Sequence, residues 1–215
     1  DPARRGRATV IASAGICRFM KRAAARPGHD SFFPCRPGQT IETGALRVDV
    51  FAWRHMGLLP PGLGPALGHM ARLAASPGLA LGIVFRALKG PLPGPMLGFR
   101  VAAAGGPRVL IYGEGLHRKT DLEETRRIGR RWPADVVLAA VEPEDREGLP
   151  DLIKAAGSPF AVPYQPHWRW RKALGLALAD LDQLAGRLEE AGVKVRRLCP
   201  GRRLTLTGSS AAPTS

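Results

Sequence analysis

The chain has 215 residues, of which 45% are hydrophobic and 23% charged, and its formal net charge is +14. A chain of this length and hydrophobic content buries a sizeable core, which is ordinary for a folded soluble protein and favours one domain. The 26 glycines and 20 prolines exclude a long helical array and favour an α/β fold.

The positive charge raises the question of a polyanionic partner, because clustered Lys and Arg bind phosphates. The 32 basic residues are mostly Arg and are scattered along the chain. No helix-turn-helix, zinc-finger or RNA-binding motif accompanies them. These observations argue against nucleic acid as the partner, and a basic nucleic-acid-binding module stays as the third of our hypotheses.

The three cysteines, Cys17, Cys35 and Cys199, are odd in number, far apart and without a CxxC pair. They indicate neither a disulfide framework nor a cysteine zinc site, and a reducing, cytoplasmic location fits them best. No signal peptide opens the chain, and no apolar run reaches the roughly 18 residues that span a bilayer. The first residue is Asp1 rather than Met, so a targeting segment could precede it.

The N-terminal part of the chain predicts a strand–helix unit followed by two strands. Residues 8–12 form an apolar strand, and Ser13 can cap a helix that ends near Pro27. A Pro-Gly turn within residues 35–42 leads into a strand, and the alternating strand after it ends at His55. The apolar face of the helix comprises Ile16, Phe19, Met20 and Ala23.

The segment 57–97 differs from the rest because it is rich in Leu, Gly, Pro and Met. It lies in a longer stretch, 50–113, that contains no Asp or Glu, so its basic residues create a positive local field. Residues 66–75 and 79–88 predict a helical hairpin. The segment could be a lid over a pocket, an interfacial element that contacts a membrane peripherally, or a packed insertion that completes the core.

The second half repeats the alternation of helices and strands. Residues 120–123 read as a capping box that begins a helix ending near Arg131, with Thr120 as the cap. Residues 135–141 predict a strand covered on both faces. A later helix carries an apolar face and ends at Gly192, after which residues 193–195 predict a strand. The apolar face comprises Leu178, Leu181, Leu184 and Leu188.

Three apolar stretches each end in a residue able to bind a metal ion. Residues 48–55 end in His55, residues 108–114 end in Glu114, and residues 160–167 end in His167. A strand that carries such a residue at its C-terminal end places it at the rim of a sheet, where several rims can converge on one ion. The order of the three stretches predicts a shared metal site.

This succession of features resembles the C-terminal part of a metallo-β-lactamase-fold hydrolase, in the style of the branch that includes the L-ascorbate-6-phosphate lactonases. The resemblance covers nearly the whole chain, and it implies an α/β fold, an αββα sandwich with the helical insertion at 57–97. The partial domain would span 1–207, followed by a disordered tail at 208–215. The matching motifs are Pro37-Gly38-Gln39-Thr40, Arg54-His55, Gly98-Phe99-Arg100-Val101, Tyr112-Gly113-Glu114-Gly115 and the 193–206 unit.

The resemblance implies a role for each strand-end residue. His55 falls on the position that binds the first zinc ion, and Glu114 falls on the bridging carboxylate, where the family has Asp. The longer Glu side chain needs a compensating backbone shift to bridge two ions. At the last position an ungapped match gives Gln165, and a two-residue slip gives His167, which is the better zinc ligand.

One element of the family does not occur in this sequence, the His-x-His-x-Asp-His loop, which would precede the unit at 8–26. We therefore expect the domain to be N-terminally incomplete and inactive without those ligands. If the intact protein is active, it would hydrolyse a small, anionic or amphipathic substrate with one or two zinc ions, and manganese or iron would also suit the ligands. A degenerate, non-catalytic binding protein is the second hypothesis.

Three further residues could assist such a reaction, namely Tyr112, Tyr164 and His117. Each could stabilise an oxyanion or protonate a leaving group, although residues of these types in such positions are more often structural. His69 lies in the 57–97 segment, and His29 reads as a surface turn residue.

Overall fold

The structure is a computed structural model that describes residues 9–23, 31–53, 96–112, 120–141, 148–165, 168–173 and 175–197. These residues belong to two compact units. Residues 9–23, 31–37 and 96–97 lie in the first, and residues 38–53 and 98–197, where described, lie in the second.

The first unit contains a parallel β–α–β arrangement. Strand β1 (Thr9–Ser13) leads directly into helix α1 (Ala14–Ala23), and strand β2 (Ser31–Cys35) pairs in parallel with β1, so that Ser13 lies opposite Cys35. The residue of α1 that is buried is Cys17. The predicted apolar face of α1 is wrong for Ile16, Phe19 and Met20, because these side chains are exposed.

The second unit is built on a seven-stranded sheet with the order β3-β4-β5-β6-β7-β8-β9. Pairs β3–β4 and β5–β6 are antiparallel, whereas β6–β7, β7–β8 and β8–β9 are parallel. Its strands are β3 (Thr40–Thr43), β4 (Leu46–Trp53), β5 (Met96–Ala103), β6 (Arg108–Ile111), β7 (Val136–Ala140), β8 (Phe160–Tyr164) and β9 (Lys194–Val195).

The described helices of this unit lie in the connections between the parallel strands. Helix α2 (Leu122–Arg131) links β6 to β7, and α3 (Leu149–Ala155) links β7 to β8. Helices α4 (Trp168–Ala173) and α5 (Leu181–Glu190) lie between β8 and β9. This alternation is the usual way to connect parallel strands, since each return to the same end of the sheet needs a crossover.

Aspartate side chains begin the two longest of these helices. Asp121 Oδ1 accepts hydrogen bonds from the backbone N–H groups of Glu123 at 2.8 Å and Glu124 at 3.3 Å. Asp180 caps α5 in the same way. The capping box predicted with Thr120 as the cap is therefore wrong by one residue. Asp121 is one position closer to the helix, where its short carboxylate reaches two free N–H groups.

The core of the second unit comes from the strands that the sequence predicts as continuous apolar runs. On β7 and β8 the side chains pointing to both faces are buried, which is typical of parallel strands covered on two sides. Helices α2, α3 and α5 contribute Ile128, Leu149, Leu152, Ile153, Leu184 and Leu188 to this core.

Several expectations concern residues outside the described part of the chain. They are the helical hairpin within 57–97, the part of the 193–206 unit that follows Arg197 and the tail at 208–215. Among the described residues, no helix is both long and apolar enough to cross a bilayer.

Candidate functional site

The sheet topology determines where the three predicted ligand-bearing strands end. Strands β6 and β8 both run parallel to β7, so their carboxyl ends lie at one edge of the sheet. The Ala104 N–H donates to the Ala45 carbonyl at 3.2 Å, which joins the end of β5 to the start of β4. Since β5 is antiparallel to β6, β4 also ends at this edge, here called the carboxyl edge.

Three residues mark the described limit of the chain at the carboxyl edge: Trp53 at the end of β4, Tyr112 directly after β6 and Gln165 directly after β8. The rings of Trp53 and Tyr112 lie 6.1 Å apart between centroids. The Val141 N–H, directly after β7, donates to the Tyr164 carbonyl at the end of β8 at 2.8 Å. The ends of the strands are therefore held together by side-chain and backbone contacts.

The three predicted metal ligands, His55, Glu114 and His167, lie outside the described residues. Each follows its edge residue by two positions in the sequence. Two residues of extended chain span at most about 7 Å. The topology thus brings together the strand ends from which these ligands would come, and the ligand set itself stays a prediction.

An aromatic cluster of Phe51, Trp53, Tyr112 and Trp132 lies at this end of the sheet. Phe51 contacts the Tyr112 ring at 5.5 Å and stacks on Trp132 at 5.3 Å between centroids. Phe51 fits because Gly98 on the neighbouring strand has no side chain, and a Cβ there would lie 2.2 Å from the Phe51 ring. The cluster gives β4, β5 and β6 a rigid end, since interlocked buried rings have few alternative rotamers.

Tyr112 belongs to this packing rather than to the reactive groups. Its side chain is fully buried, and its hydroxyl has no hydrogen-bond acceptor or donor among the described residues. Burial raises the pKa of Tyr112 well above its ordinary value, and the nearby Thr125 opposes the rise only in part. The Thr125 hydroxyl donates instead to the Asp121 carbonyl at 3.0 Å. Of the two interpretations of Tyr112, the structure supports the structural one.

Gln165 has a defined structural contact at the carboxyl edge. Its Oε1 accepts a hydrogen bond from the Ala179 N–H at 3.0 Å, which ties the end of β8 to the segment that precedes α5. Its Nε2 is buried without an acceptor among the described residues. An amide N–H group is a donor and cannot bind a cation. Gln165 therefore presents its donor side, not a free oxygen, to the rest of this edge.

The described residues at the carboxyl edge do not form a metal site by themselves. Within the described ranges, no group of three or more His, Cys, Asp or Glu side chains could hold an ion. The side chains that these ranges supply here are an amide and a phenol, which are poor zinc ligands. A metal ion implied by the fold would depend on His55, Glu114 and His167, and so would any chemistry of that ion.

The sequence did not predict a second polar cluster, which lies inside the sheet. Asp49 on β4 is 4% exposed and binds Thr40 and Arg100, each at 2.7 Å, and Arg47 at 3.3 Å. Burial raises the pKa of Asp49, but these hydrogen bonds outweigh it and hold the pKa below its ordinary value. All its partners are protein groups, so this cluster is structural. The signal in the sequence was a single acidic residue within an apolar strand.

Several solved structures resemble the chain. Three of them are the metallo-β-lactamase fold protein YhfI from Bacillus subtilis (11% identity, TM-score 0.51), the isothiocyanate hydrolase from Delia radicum gut bacteria (11%, 0.53) and a CmlA β-hydroxylase variant (14%, 0.50). The alignments cover 92%, 92% and 90% of this chain. No family model and no curated protein matches it. The chain therefore has the metallo-β-lactamase fold that the sequence predicted.

The alignments cover less of the other proteins. The chain spans 65% of the length of the Bacillus protein, 67% of the isothiocyanate hydrolase and 38% of the β-hydroxylase. At 11% to 14% identity the likeness extends to the fold alone.

Proposed function

We propose that this chain carries part of the active site of a metal-dependent hydrolase. The observation that supports the proposal most strongly is the convergence of β4, β6 and β8 at the carboxyl edge of a metallo-β-lactamase fold. In an α/β sheet, residues that follow the carboxyl ends of the strands are the ones that bind ligands. His55, Glu114 and His167 follow these ends and have the chemistry of metal ligands.

One or two zinc ions at this edge would lower the pKa of bound water and polarise the scissile bond. The chain's own contribution would be to hold the ligands in register. The aromatic cluster fixes the ends of β4 and β6, and the bond from the Ala179 N–H to Gln165 fixes the end of β8. A ligand displaced by a few tenths of an ångström binds a metal ion less well, so this rigidity matters for affinity.

For the substrate we propose a small anionic molecule, in keeping with the lactonase-like branch that the sequence resembles. The net charge of +14 supports an anionic substrate because it raises the local concentration of anions near the protein. The basic, acid-free segment 57–97 adds to this field in the sequence. A lactone that carries a phosphate or carboxylate is therefore the first compound class to test.

Zinc binding in solution tests the proposal. Purified chain is titrated with Zn²⁺ in competition with a chromophoric chelator, alongside the variants His55→Ala, Glu114→Ala and His167→Ala. We expect saturable binding that each substitution weakens at least about tenfold, since each removes one ligand from a small set. His29→Ala is the matched control, because it removes an imidazole from a predicted surface turn, and it should bind as the unchanged chain does.

Two results would contradict the proposal. One is an absence of saturable zinc binding, which would favour a non-catalytic member of the fold. The other is zinc binding that the His29→Ala substitution weakens as much as the three ligand substitutions do.

Because one structural neighbour is a β-hydroxylase, the titration should be repeated with Fe²⁺ and Mn²⁺. Most sites with nitrogen and oxygen ligands bind Zn²⁺ more tightly than Fe²⁺ or Mn²⁺, so tighter binding of Fe²⁺ than of Zn²⁺ would be the informative result and would count against a zinc hydrolase.

A further inference from the structure

Two cysteines that are distant in the sequence converge in the first unit. The Cys17 and Cys35 thiols both donate to the carbonyl oxygen of Ala12, at 3.5 Å and 3.4 Å. Since both sulfurs lie this close to one oxygen atom, they are at most about 7 Å apart. Both are free thiols in this structure, and their side chains are 2% and 3% exposed.

The backbone explains why they meet. Cys35 is the last residue of β2 and lies opposite Ser13 in the parallel pair β1–β2. Helix α1 begins immediately after Ser13, and Cys17 is four residues further along, about one helical turn. Neighbouring strands are about 4.8 Å apart and a helical turn rises about 5.4 Å, so two such steps at right angles place the Cα atoms roughly 7 Å apart. Natural disulfides join residues with Cα atoms about 4.4 to 6.8 Å apart, so closure of this pair requires a small movement of α1 or β2.

The electrostatics agree with this proximity. Burial raises the pKa of Cys35 above its ordinary value, and Cys17 raises it further. A thiol that affects the ionisation of its neighbour must be close to it in a poorly hydrated place. Cys35 therefore stays a neutral S–H donor to Ala12 at neutral pH, and bulky reagents have little access to either sulfur.

We propose that Cys17 and Cys35 form a redox-active pair that closes to a disulfide when a small, uncharged hydroperoxide reaches it. Because the raised pKa of Cys35 makes it the poorer nucleophile, the Cys17 sulfur attacks the peroxide O–O bond, passes its proton to the departing oxygen and becomes a sulfenic acid, with release of water or an alcohol. The second sulfur then attacks this sulfenic acid, an S–S bond forms, and a water molecule carries away the hydroxyl group and the second thiol's proton. The new bond links α1 to β2, both in the first unit, whereas the predicted metal ligands follow strands of the second, so its test does not depend on the proposed hydrolase.

Disulfide mapping tests this site. The full chain is treated with hydrogen peroxide at neutral pH, remaining thiols are alkylated, and the digest is analysed by mass spectrometry. We expect a Cys17–Cys35 peptide pair that lacks two hydrogen atoms and disappears on reduction. Cys199→Ser should still form it, and neither Cys17→Ser nor Cys35→Ser should form a disulfide. Closing the loop should raise the melting temperature reversibly, by about 5 °C.

A comparison of native and urea-unfolded chain keeps the test valid even if a serine variant does not fold. In urea the three cysteines pair without the help of the fold. The ratio of the Cys17–Cys35 disulfide to the other two pairings should be at least about fivefold higher in the native chain than in urea. The proposal is overturned if the two states give the same distribution of pairs. It is also overturned if native Cys17 and Cys35 are recovered as separate sulfinic acids or as alkylated thiols.

Discussion

The two halves of the seven-stranded sheet are stabilised in different ways. In strands β3 to β5, the buried Asp49 carboxylate connects all three strands through Thr40, Arg47 and Arg100. In β6 to β8 the described strand interiors carry no charged side chain, and the fully buried residues are apolar. They include Leu110, Val136, Val137, Ala139, Ala140, Ala161 and Val162.

The difference shows what each kind of strand requires. A charge inside a sheet is tolerated only when every oxygen of the carboxylate has a partner, and Asp49 has three. The parallel half needs no such set of hydrogen-bond partners, because burial of its apolar side chains and close packing of its helices are enough to stabilise it. Substitutions in the two halves should therefore act through different mechanisms.

The largest effect should come from the parallel half, where α2 packs directly on α3. A Cβ at Gly129 would lie 2.6 Å from the Ala156 carbonyl oxygen, a backbone atom that no rotamer change can move. Gly129→Ala should lower the free energy of unfolding by about 3 kcal/mol, measured by urea denaturation.

Gly186 provides the matched control for Gly129, since it is also a helical glycine. Nothing lies within 4 Å of a Cβ placed at Gly186. Gly186→Ala should raise the free energy of unfolding by about 0.5 to 1 kcal/mol through better helix propensity. Equal effects of the two substitutions would contradict close packing of α2 on α3.

The next effect tests the antiparallel half. Asp49→Asn keeps the shape of the side chain and leaves the Arg100 guanidinium, which is 15% exposed, without its carboxylate. We expect a loss of about 2 kcal/mol, less than for a fully buried pair because Arg100 still donates to the Pro133 carbonyl. Asp135→Asn should cost about half as much, since its partner Arg108 is 32% exposed. A larger loss of stability in Asp135→Asn than in Asp49→Asn would contradict the claim that burial of the arginine partner determines the size of the loss.

Low pH should remove the stabilisation that the carboxylates of Asp49 and Asp135 provide. Hydrogen bonds from Arg108 lower the pKa of Asp135 more than burial raises it, and the pKa of Asp49 is also below its ordinary value. Their stabilisation is present above the unfolded-state value and is lost as the pH falls through the folded-state values. Urea midpoints measured from pH 6 downward should decline for the unchanged chain below about pH 4. The Asp49→Asn, Asp135→Asn double variant should decline less, and parallel curves would contradict this prediction.

The smallest effect should appear where the two halves meet, at Tyr112. Because its buried hydroxyl has no partner among the described residues, Tyr112→Phe should raise the free energy of unfolding by up to about 1 kcal/mol. Tyr112→Leu, which removes the ring from contact with Phe51 and Trp53, should lower it. A clear loss of stability in Tyr112→Phe would show that the hydroxyl is bonded.

Much of the fold could be predicted from the sequence because it depends on local patterns. The apolar runs at 135–141 and 160–164 became β7 and β8, and the helices near Arg131 and Gly192 were found within a few residues. The carboxyl edge was also predicted, since residues at strand ends follow directly from the strand pattern.

The sequence could not reveal contacts that depend on tertiary structure. Arg100 and Asp49 are 51 positions apart, and no local period links them. Cys17 and Cys35 looked unrelated by spacing, and the parallel register of β1 and β2 brings them to one carbonyl. The exposure of Ile16, Phe19 and Met20 likewise depends on what packs against α1, which helical periodicity does not specify.

Anomalous diffraction at the zinc edge, from crystals of the full chain soaked in zinc chloride, tests the central claim most directly. We predict a zinc peak at the carboxyl edge, about 2.0 to 2.2 Å from His55, Glu114 and His167, beyond the ends of β4, β6 and β8. Zinc bound elsewhere in the chain, with none near these three residues, would contradict the account.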